Sequence, residues 1–274
     1  MVSGAAGCLA GLLCLYRHRP TETTLAVARL CGDQLMARAE PMTSGIGWRW
    51  HAENVQETPL AGFSHGAAGI AWALLELASV TSEPRFTTTA VAAIEYERSL
   101  FRPAEGNWAD LRRAAPTESS ALWAWCHGAP GIGLARLHSL PHLDTAAIRT
   151  EIATALNTTL GQGFGRNHSL CHGDLGNLEL LLQASLTLDD PQWHTAVRRL
   201  SATILASIQR DGWLCGVPSG LETPGLMTGL AGTGYGLLRL AAPDQVPSVL
   251  VLEPPKRHSS SPEILENATA ASVR

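Results

Sequence analysis

Apolar residues recur at helical spacing along most of the chain, and short glycine-containing turns separate these segments. The run that follows Gly4 is hydrophobic on nearly all sides, which is typical of a buried helix. The segment 21–39 instead alternates apolar with charged side chains, as a helix with one solvent-facing side does. The pattern therefore predicts helices in pairs, with one inner and one outer helix in each pair.

The same alternation continues through the rest of the sequence. Ser82 with Pro84, Asp144, and Asp190 with Pro191 are the expected starts of three further outer helices. These outer helices are expected to end near positions 101, 160 and 208. Inner helices are expected at 66–78, 132–140 and 178–188, with a fifth after the glycine at 229. Alternating Val, Ile and Thr runs are almost absent, so the predicted fold is all-α: nine helices in two layers, forming an α/α toroid.

Two further features bear on domain organisation. A turn containing glycine and tryptophan follows three of the outer helices, at 47–48, 106–108 and 212–213, and we expect these tryptophans to be structural. Beyond Leu240 the chain becomes rich in proline, and from Lys256 it is a polar, serine-rich run with little to bury. We therefore predict one domain over 1–255 and a disordered tail over 256–274.

Composition excludes several classes of protein. The 274 residues are 45% hydrophobic and 16% charged, the balance of a globular protein, and no apolar stretch reaches the roughly 18 residues of a membrane span. The N-terminus has no basic segment, which argues against a signal peptide. A net charge of −4 without a basic cluster excludes nucleic acid as an expected partner. Six scattered cysteines indicate reduced thiols and a cytoplasmic location.

A G-x-x-G pair opens each predicted inner helix, so the pair occurs five times. The residue before the first glycine is Ser3, His65, His127, His172 or Thr228, and the residue before that is Val2, Ser64, Cys126, Cys171 or Met227. If the five copies pack side by side, these two columns of residues gather at one end of the fold. Two thiols and three imidazoles would then lie close together, which is what a metal site requires.

The two cysteines of these columns, Cys126 and Cys171, are at predicted helix starts, where the helix dipole favours a thiolate. Two thiolates and one imidazole form a known catalytic zinc set that leaves a fourth position open. His172 or His127 could be the third ligand, and the columns alone do not choose between them. The competing interpretation is that the cysteines are small core residues and that the histidines hydrogen-bond the turn. Two Cys-His-Gly copies in register favour the metal.

The other cysteines and one carboxylate have simpler interpretations. Cys8, Cys14 and Cys31 lie on apolar helix faces and are expected in the core. Cys215 lies in a linker, where a thiol without a neighbouring histidine is weak support for a ligand. Asp174 is either a carboxylate that stabilises the start of its helix or a partner that orients a ligand histidine.

Four segments together resemble the lanthionine synthetase C-like (LanC-like) cyclases: 125–131, 171–173, 64–69 and 225–232. The histidine after the first of the two cysteines, and the segment 246–252, are more like the C-terminal cyclase domain of class II (LanM-type) synthetases. The resemblance runs from about 4 to 255. It implies a seven-pair α/α toroid with Zn²⁺ held by Cys126, Cys171 and His172. It also implies an acid/base role for His65, which leaves His127 and Asp174 as candidates for supporting the zinc ligands.

The implied activity is that of a carbon–sulfur bond-forming enzyme of lanthipeptide biosynthesis. A cysteine thiol of a dehydrated precursor peptide, activated by zinc, would add to dehydroalanine or dehydrobutyrine in the same peptide and form a thioether ring. The alternative is a zinc-stabilised, peptide-binding toroid without catalytic activity.

The sequence departs from the family pattern in three places. The family aspartate about four residues before the first G-x-x-G would fall before Met1, and five turns are present where seven are expected. We therefore expect an N-terminally truncated domain with about five of seven helical pairs, whose partner is the missing N-terminal segment or a dehydratase domain. Some members have an arginine where this chain has Leu122, and Arg112 and Arg113 are nearby but unmatched.

Overall fold

The computed structural model of the protein describes residues 4–49, 58–112 and 122–255. These ranges contain α1 (Gly4–His18), α2 (Glu22–Ala37), α3 (Ala67–Thr81), α4 (Pro84–Ser99), α5 (Ala129–Ser139), α6 (Ala146–Gln162), α7 (Asp174–Thr187), α8 (Pro191–Asp211) and α9 (Leu230–Ala241). The prediction of nine helices is confirmed for these ranges. The predicted disordered tail at 256–274, the column residues Val2 and Ser3, and Arg113 lie outside the described residues.

The helices form an inner and an outer layer, as predicted for an α/α toroid. Helix α1 packs on α2, α3 on α4, α5 on α6, and α7 on α8, while α1, α3, α5, α7 and α9 follow one another as neighbours in the inner layer. The described chain has four pairs and a fifth inner helix, which agrees with the predicted nine helices. After α9 the chain forms turns and loops up to 255, where the sequence becomes rich in proline.

Burial follows from the hydrophobic pattern of each helix. Every residue of α7 from Asp174 to Ser185 is buried, whereas α8 buries only one face, at Trp193, Ala196, Leu200 and Ile204. A helix that is buried on all sides needs neighbours all round, and the mostly apolar sequence of α7 fits this place in the inner layer. No helix in the described ranges is both long and apolar enough to span a bilayer.

The observed helix caps correct two predictions. Ser82 adopts the left-handed conformation (φ 56°), and its N–H donates to the carbonyl of Ala78, so Ser82 ends α3 and does not begin α4. Thr145, and not Asp144, caps α6, because its hydroxyl accepts an N–H of the first turn. Asp190 caps α8 as predicted.

Two of the Gly–Trp turns form short antiparallel ribbons that the sequence pattern did not predict. Strand β1 (Glu40–Pro41) pairs with β2 (Ile46–Gly47), and β3 (Phe101–Arg102) pairs with β4 (Asn107–Trp108). Trp108 is buried, as expected for a structural residue, but Trp213 in the third turn is 41% exposed. The ribbon β3–β4 leads directly to the site described next.

Candidate metal centre

The predicted column of residues at the G-x-x-G turns is assembled by backbone hydrogen bonds between successive turns. The N–H of Ser64 donates to the carbonyl of Cys126 (3.2 Å), that of Cys126 to Cys171 (3.2 Å), and that of Cys171 to Met227 (2.8 Å). Four turns that are far apart in sequence are therefore adjacent at one end of the inner helices. We call this end of the molecule the turn end.

The glycines of the motif are required by this close packing. A Cβ at Gly131 would overlap the carbonyl oxygen of Trp125, and one at Gly176 would overlap that of Leu170. Gly128 has φ 96°, which strongly favours glycine. Each inner helix can therefore begin directly against its own turn, which places the cysteine of that turn beside the helix start.

Three potential ligands meet at the turn end. The Sγ atoms of Cys126 and Cys171 and a ring nitrogen of His172 all lie within 4.8 Å of one another. Cys126 is buried, whereas Cys171 and His172 are half-buried, so the cluster is accessible from one side. Tetrahedral zinc holds two thiolates at about 2.3 Å and an imidazole at about 2.0 Å, which requires ligands about 3–4 Å apart. The donor types and their spacing fit zinc.

The two thiols interact electrostatically as a pair. The hydrogen bond between the two thiols lowers the pKa of Cys171 to about 5, and contact with the His172 ring also favours the Cys171 thiolate. The same hydrogen bond, together with burial, raises the pKa of Cys126. Contact with Cys171 raises the pKa of the His172 ring. The Cys171 thiolate is therefore favoured before any metal binds, which suits a site that takes up a metal cation.

The His172 ring is oriented by the loop after α8. It hydrogen-bonds the backbone of Gly216, whose own N–H donates to the carbonyl of Thr228 (2.7 Å). A Cβ at Gly216 would lie 2.9 Å from Nε2 of His172, so a larger residue would displace the ring. Cys215 is buried beside this loop and does not belong to the three-residue cluster.

His65 and His127 face each other next to the cluster. Their ring centroids are 6.0 Å apart and the rings are stacked, and Nδ1 of His127 is 3.3 Å from the carbonyl oxygen of Ala61. Burial lowers the pKa of His65, and the charge of Arg112 lowers it further. His127 is buried and lies outside the ligand group, so the geometry favours His172 as the third ligand.

The turn that carries His65 is held by a residue that the sequence did not indicate. Glu97 of α4 is fully buried and accepts hydrogen bonds from the N–H groups of Gly62 (2.9 Å) and Ala68 (3.2 Å). Its other oxygen pairs with Arg136 of α5 at 2.8 Å. A glutamate among the apolar positions of an outer helix was the one available signal for this function.

Asp174, the carboxylate with two possible functions, contacts the preceding loop. It accepts hydrogen bonds from the N–H groups of Gly165 (3.0 Å) and Arg166 (3.3 Å), and burial raises its pKa. None of its hydrogen bonds in the described part of the chain joins a histidine ring. Asp174 therefore attaches the loop at Gly165 and Arg166 to the first turn of α7, and its function beside a ligand histidine stays a prediction.

Two charged residues near the cluster escaped the sequence argument. Asp110 was not considered, and Arg112 matched no family position, yet Arg112 is close enough for its charge to act on both thiols of the cluster. An Asp-x-Arg segment that begins two residues after the tryptophan of a Gly-Asn-Trp turn was the available signal.

Comparisons with known proteins agree with the motifs. The sequence model of the family described as lanthionine synthetase C-like protein matches residues 1–251. The lacticin 481/lactococcin biosynthesis protein LcnDR2 of Lactococcus lactis subsp. lactis is 28% identical over 194 residues, which are 66% of this chain and 20% of that protein. Glutathione S-transferase LANCL1 of Danio rerio is 27% identical over 209 residues, which are 73% of this chain and 46% of that protein.

The fold also matches a solved structure. Nisin cyclase superposes with a TM-score of 0.66 at 20% identity, covering 90% of this chain and 65% of the nisin cyclase chain. The chain thus spans less than two thirds of the length of each of these three proteins. At this level of identity the superposition shows the toroid fold alone.

Proposed function

We infer the function of this chain from its membership of the lanthionine synthetase C-like family, whose sequence model matches residues 1–251. We propose that residues 1–255 are a zinc-dependent cyclase domain of the class II type. The domain would add cysteine thiols of a dehydrated peptide to dehydroalanine or dehydrobutyrine and form lanthionine or methyllanthionine rings. The observation that carries the proposal is the cluster of two thiols and one imidazole within 4.8 Å at the turn end.

In this proposal Cys126, Cys171 and His172 hold the zinc ion. When bound, zinc would supply a Lewis acid that favours the thiolate form of a substrate cysteine. Gly216 keeps the His172 ring in its orientation through the backbone hydrogen bond. Cys171 and His172 are half-buried, and the peptide would approach the cluster from this partly exposed side.

His65 is the proposed acid/base residue. Burial and nearby positive charge lower the pKa of its ring, so the ring is neutral near pH 7 and can accept the thiol proton. The protonated ring can then return a proton to the α-carbon of the acceptor residue. The stacked His127 and the carboxylate of Glu97 hold the two turns on which this geometry depends.

The proposal also defines the surroundings of the enzyme. Its substrate contains dehydrated residues, so a dehydratase domain or enzyme must act before it. We propose a cytoplasmic location, where the six free cysteines would stay reduced.

The direct test is a cyclisation assay with a synthetic peptide that contains one cysteine and one dehydroalanine. Ring closure leaves the mass unchanged but removes the free thiol, so thiol alkylation followed by mass spectrometry measures it. We expect zinc-loaded protein to accelerate closure over the uncatalysed reaction, and the Cys126→Ala, Cys171→Ala double variant not to do so. Equal rates for the two proteins would contradict the proposal.

One comparison favours a second candidate, because a relative is described as a glutathione S-transferase. In that case the same site would activate the thiol of glutathione for addition to an external electrophile. Adding glutathione and a peptide with dehydroalanine but no cysteine to the assay separates the two functions. A glutathione adduct without ring closure would favour the transferase, and zinc and peptide binding without either product would favour the non-catalytic toroid.

A further inference from the structure

The segment after strand β4 is attached to the turn that carries Cys126. Asn107 accepts a hydrogen bond from the N–H of Ala129, the first residue of α5 (2.8 Å), and donates to the carbonyl of Leu122 (3.2 Å). Ala129 is only three residues after Cys126. These bonds therefore hold the end of β4, and the residues that follow it, at the turn end of the molecule.

Three residues beyond Asn107, Asp110 holds the side chain of Arg112 along one edge. Nε of Arg112 donates to Oδ1 (2.8 Å) and Nη2 donates to Oδ2 (2.6 Å). The Asp110 side chain is only 5% exposed, whereas that of Arg112 is 38% exposed. Although burial opposes it, the hydrogen bonds from Arg112 lower the pKa of Asp110, so the carboxylate stays charged and keeps the pair together.

This geometry leaves one edge of the guanidinium available. The two N–H groups of Nη1 have no hydrogen-bond partner among the described residues, while the other edge is occupied by Asp110. The charge of Arg112 acts on Cys126, Cys171, His172, His65 and His127. Within the described residues, a cation that is held by Asp110 and has two unused donors on Nη1 therefore acts electrostatically on the three ligands and on the acid/base candidate.

We propose that Arg112, held in place by Asp110, donates hydrogen bonds from Nη1 to the carbonyl oxygen of the dehydrated residue while the cysteine adds to it. The inference rests on the proposed function. The cysteine sulfur uses an electron pair to form the bond to the β-carbon, and the π pair of the C=C bond moves onto the carbonyl oxygen as an enolate. A proton then adds to the α-carbon and the carbonyl is restored, so no other reactant is consumed.

The proposal explains why a guanidinium is suited to this position. Negative charge appears on the carbonyl oxygen only as the new bond forms, and a donor fixed in advance stabilises that charge more than it stabilises the bound substrate. It also names a specificity: the acceptor C=C must be conjugated to a carbonyl group. An isolated alkene would place no charge beside Arg112.

The test measures both catalysis and binding. We expect Arg112→Met to keep zinc and to lower kcat for ring closure by about 10²-fold with a smaller effect on KM, and Arg112→Lys to lie between Met and wild type. Arg149→Met is the matched control, because Arg149 makes the same two-pronged contact with Asp144 on an outer helix. We expect this control to match wild type.

Binding is measured by calorimetry on zinc-loaded protein with 3-mercaptopropionate and its methyl ester. In 3-mercaptopropionate, two carbon atoms separate the sulfur from the carboxylate carbon. In the reaction, two carbon atoms likewise separate the sulfur from the carbon that bears the enolate oxygen, so the acid mimics the enolate and the ester lacks its charge. We expect Arg112→Met to bind the acid more weakly than wild type does, by about tenfold or more in Kd, and to change the Kd of the ester much less.

The outcomes separate this proposal from the proposed function. Wild-type kcat in Arg112→Met, loss of zinc in that variant, or equal weakening of acid and ester would overturn the assignment of Arg112. If wild type closes no ring but still prefers the acid in an Arg112-dependent way, the cyclase proposal fails and the placement of Arg112 stands.

Discussion

The two ends of the inner helices are built from the same repeat but contain different chemistry. At the turn end, the residues before the glycines are thiols and imidazoles, held by backbone hydrogen bonds between the turns. At the opposite end, the residue ten positions after the first glycine is Cys14, Glu76, His138, Gln183 or Arg239, so four of the five are polar or charged. We call this second region the charged end.

The charged end is organised by ion pairs. Glu76 of α3 pairs with Arg17 of α1 and lies 3.1 Å from the His142 ring, while Arg239 of α9 pairs with Glu179 of α7 at 3.2 Å. These pairs link neighbouring inner helices. Paired side chains of opposite charge neutralise each other and leave little capacity for a ligand, whereas the thiols and imidazoles of the turn end can bind a metal.

The comparison shows that the repeat determines where a side chain lies, and that the type of residue at that place determines whether it binds a metal or forms an ion pair. The same frame contributes binding groups at one end and stability at the other. If this division is correct, substitutions at the turn end should abolish zinc binding or chemistry with little change in stability. Substitutions at the charged end should do the reverse.

The largest expected effect comes from removing a proposed ligand. We expect Cys171→Ala to lose both zinc and cyclisation activity, because two remaining ligands hold zinc poorly. The matched control is Cys215→Ala, because Cys215 is a buried cysteine in the loop after α8 that does not belong to the cluster. Zinc content by atomic spectroscopy and the ring-closure rate check both variants. Retention of zinc by Cys171→Ala would contradict the assignment of metal binding to the turn end.

The second effect concerns catalysis without metal loss. We expect His65→Ala to keep zinc and fold while slowing ring closure by about 10²–10⁴-fold, the usual contribution of a general acid–base residue. His142→Ala, a histidine of the charged end, should leave the rate unchanged. A full rate and unchanged product stereochemistry in His65→Ala would make His65 a structural residue.

A stability effect is expected at the charged end. The side chains of Arg239 and Glu179 are 4% and 7% exposed, so Glu179→Ala leaves a buried charge without its main partner. We expect a loss of about 3 kcal/mol in the free energy of unfolding, with zinc affinity unchanged. Glu22→Ala, at an exposed surface position, is the control and should cost less than about 0.5 kcal/mol. Urea unfolding measures both, and weaker zinc binding in Glu179→Ala would break the comparison.

The smallest effect is a pH dependence at Glu76. Burial alone would raise its pKa, but hydrogen bonds from His142 and Arg17 outweigh burial and lower it. Such a carboxyl stabilises the fold above its unfolded pKa of about 4.3 and loses that contribution as the pH falls through its folded pKa. The charge of this carboxylate also acts on the ring of His138 in α5.

We therefore expect metal-free wild type to be more stable than Glu76→Gln at pH 7 by about 1–2 kcal/mol, with the difference shrinking below about pH 4. Denaturant titrations from pH 7 to pH 3 measure this difference. A gap that stays constant over the range would show that Glu76 does not act through its charge.

Much of this molecule could be predicted from local sequence pattern. Helical spacing gave the inner and outer layers, and the repeated G-x-x-G placed Ser64, Cys126, Cys171 and Met227 in one column, which the backbone ladder reproduces. Repeats make such predictions possible because equivalent positions in sequence become neighbours in space.

The residues that were missed act across the repeats. Glu97 reaches from an outer helix to the turn of His65, and Asp110 holds Arg112 at a turn that is assembled by a different part of the chain. Neither occupies an equivalent position in a second repeat, so no column indicated them. The cap at Ser82 was assigned to the wrong helix because serine is favoured at helix starts, whereas here a left-handed conformation ends α3.

The central claim is that the turn end is a zinc site made by Cys126, Cys171 and His172. Zinc K-edge X-ray absorption on the purified protein, with metal content measured on the same sample, tests it directly. We predict one zinc per chain with two sulfur ligands at about 2.3 Å and nitrogen or oxygen at about 2.0–2.1 Å, and loss of a sulfur ligand or of the metal in Cys126→Ala. Protein that takes up no zinc, or zinc with no sulfur ligand, would contradict the account.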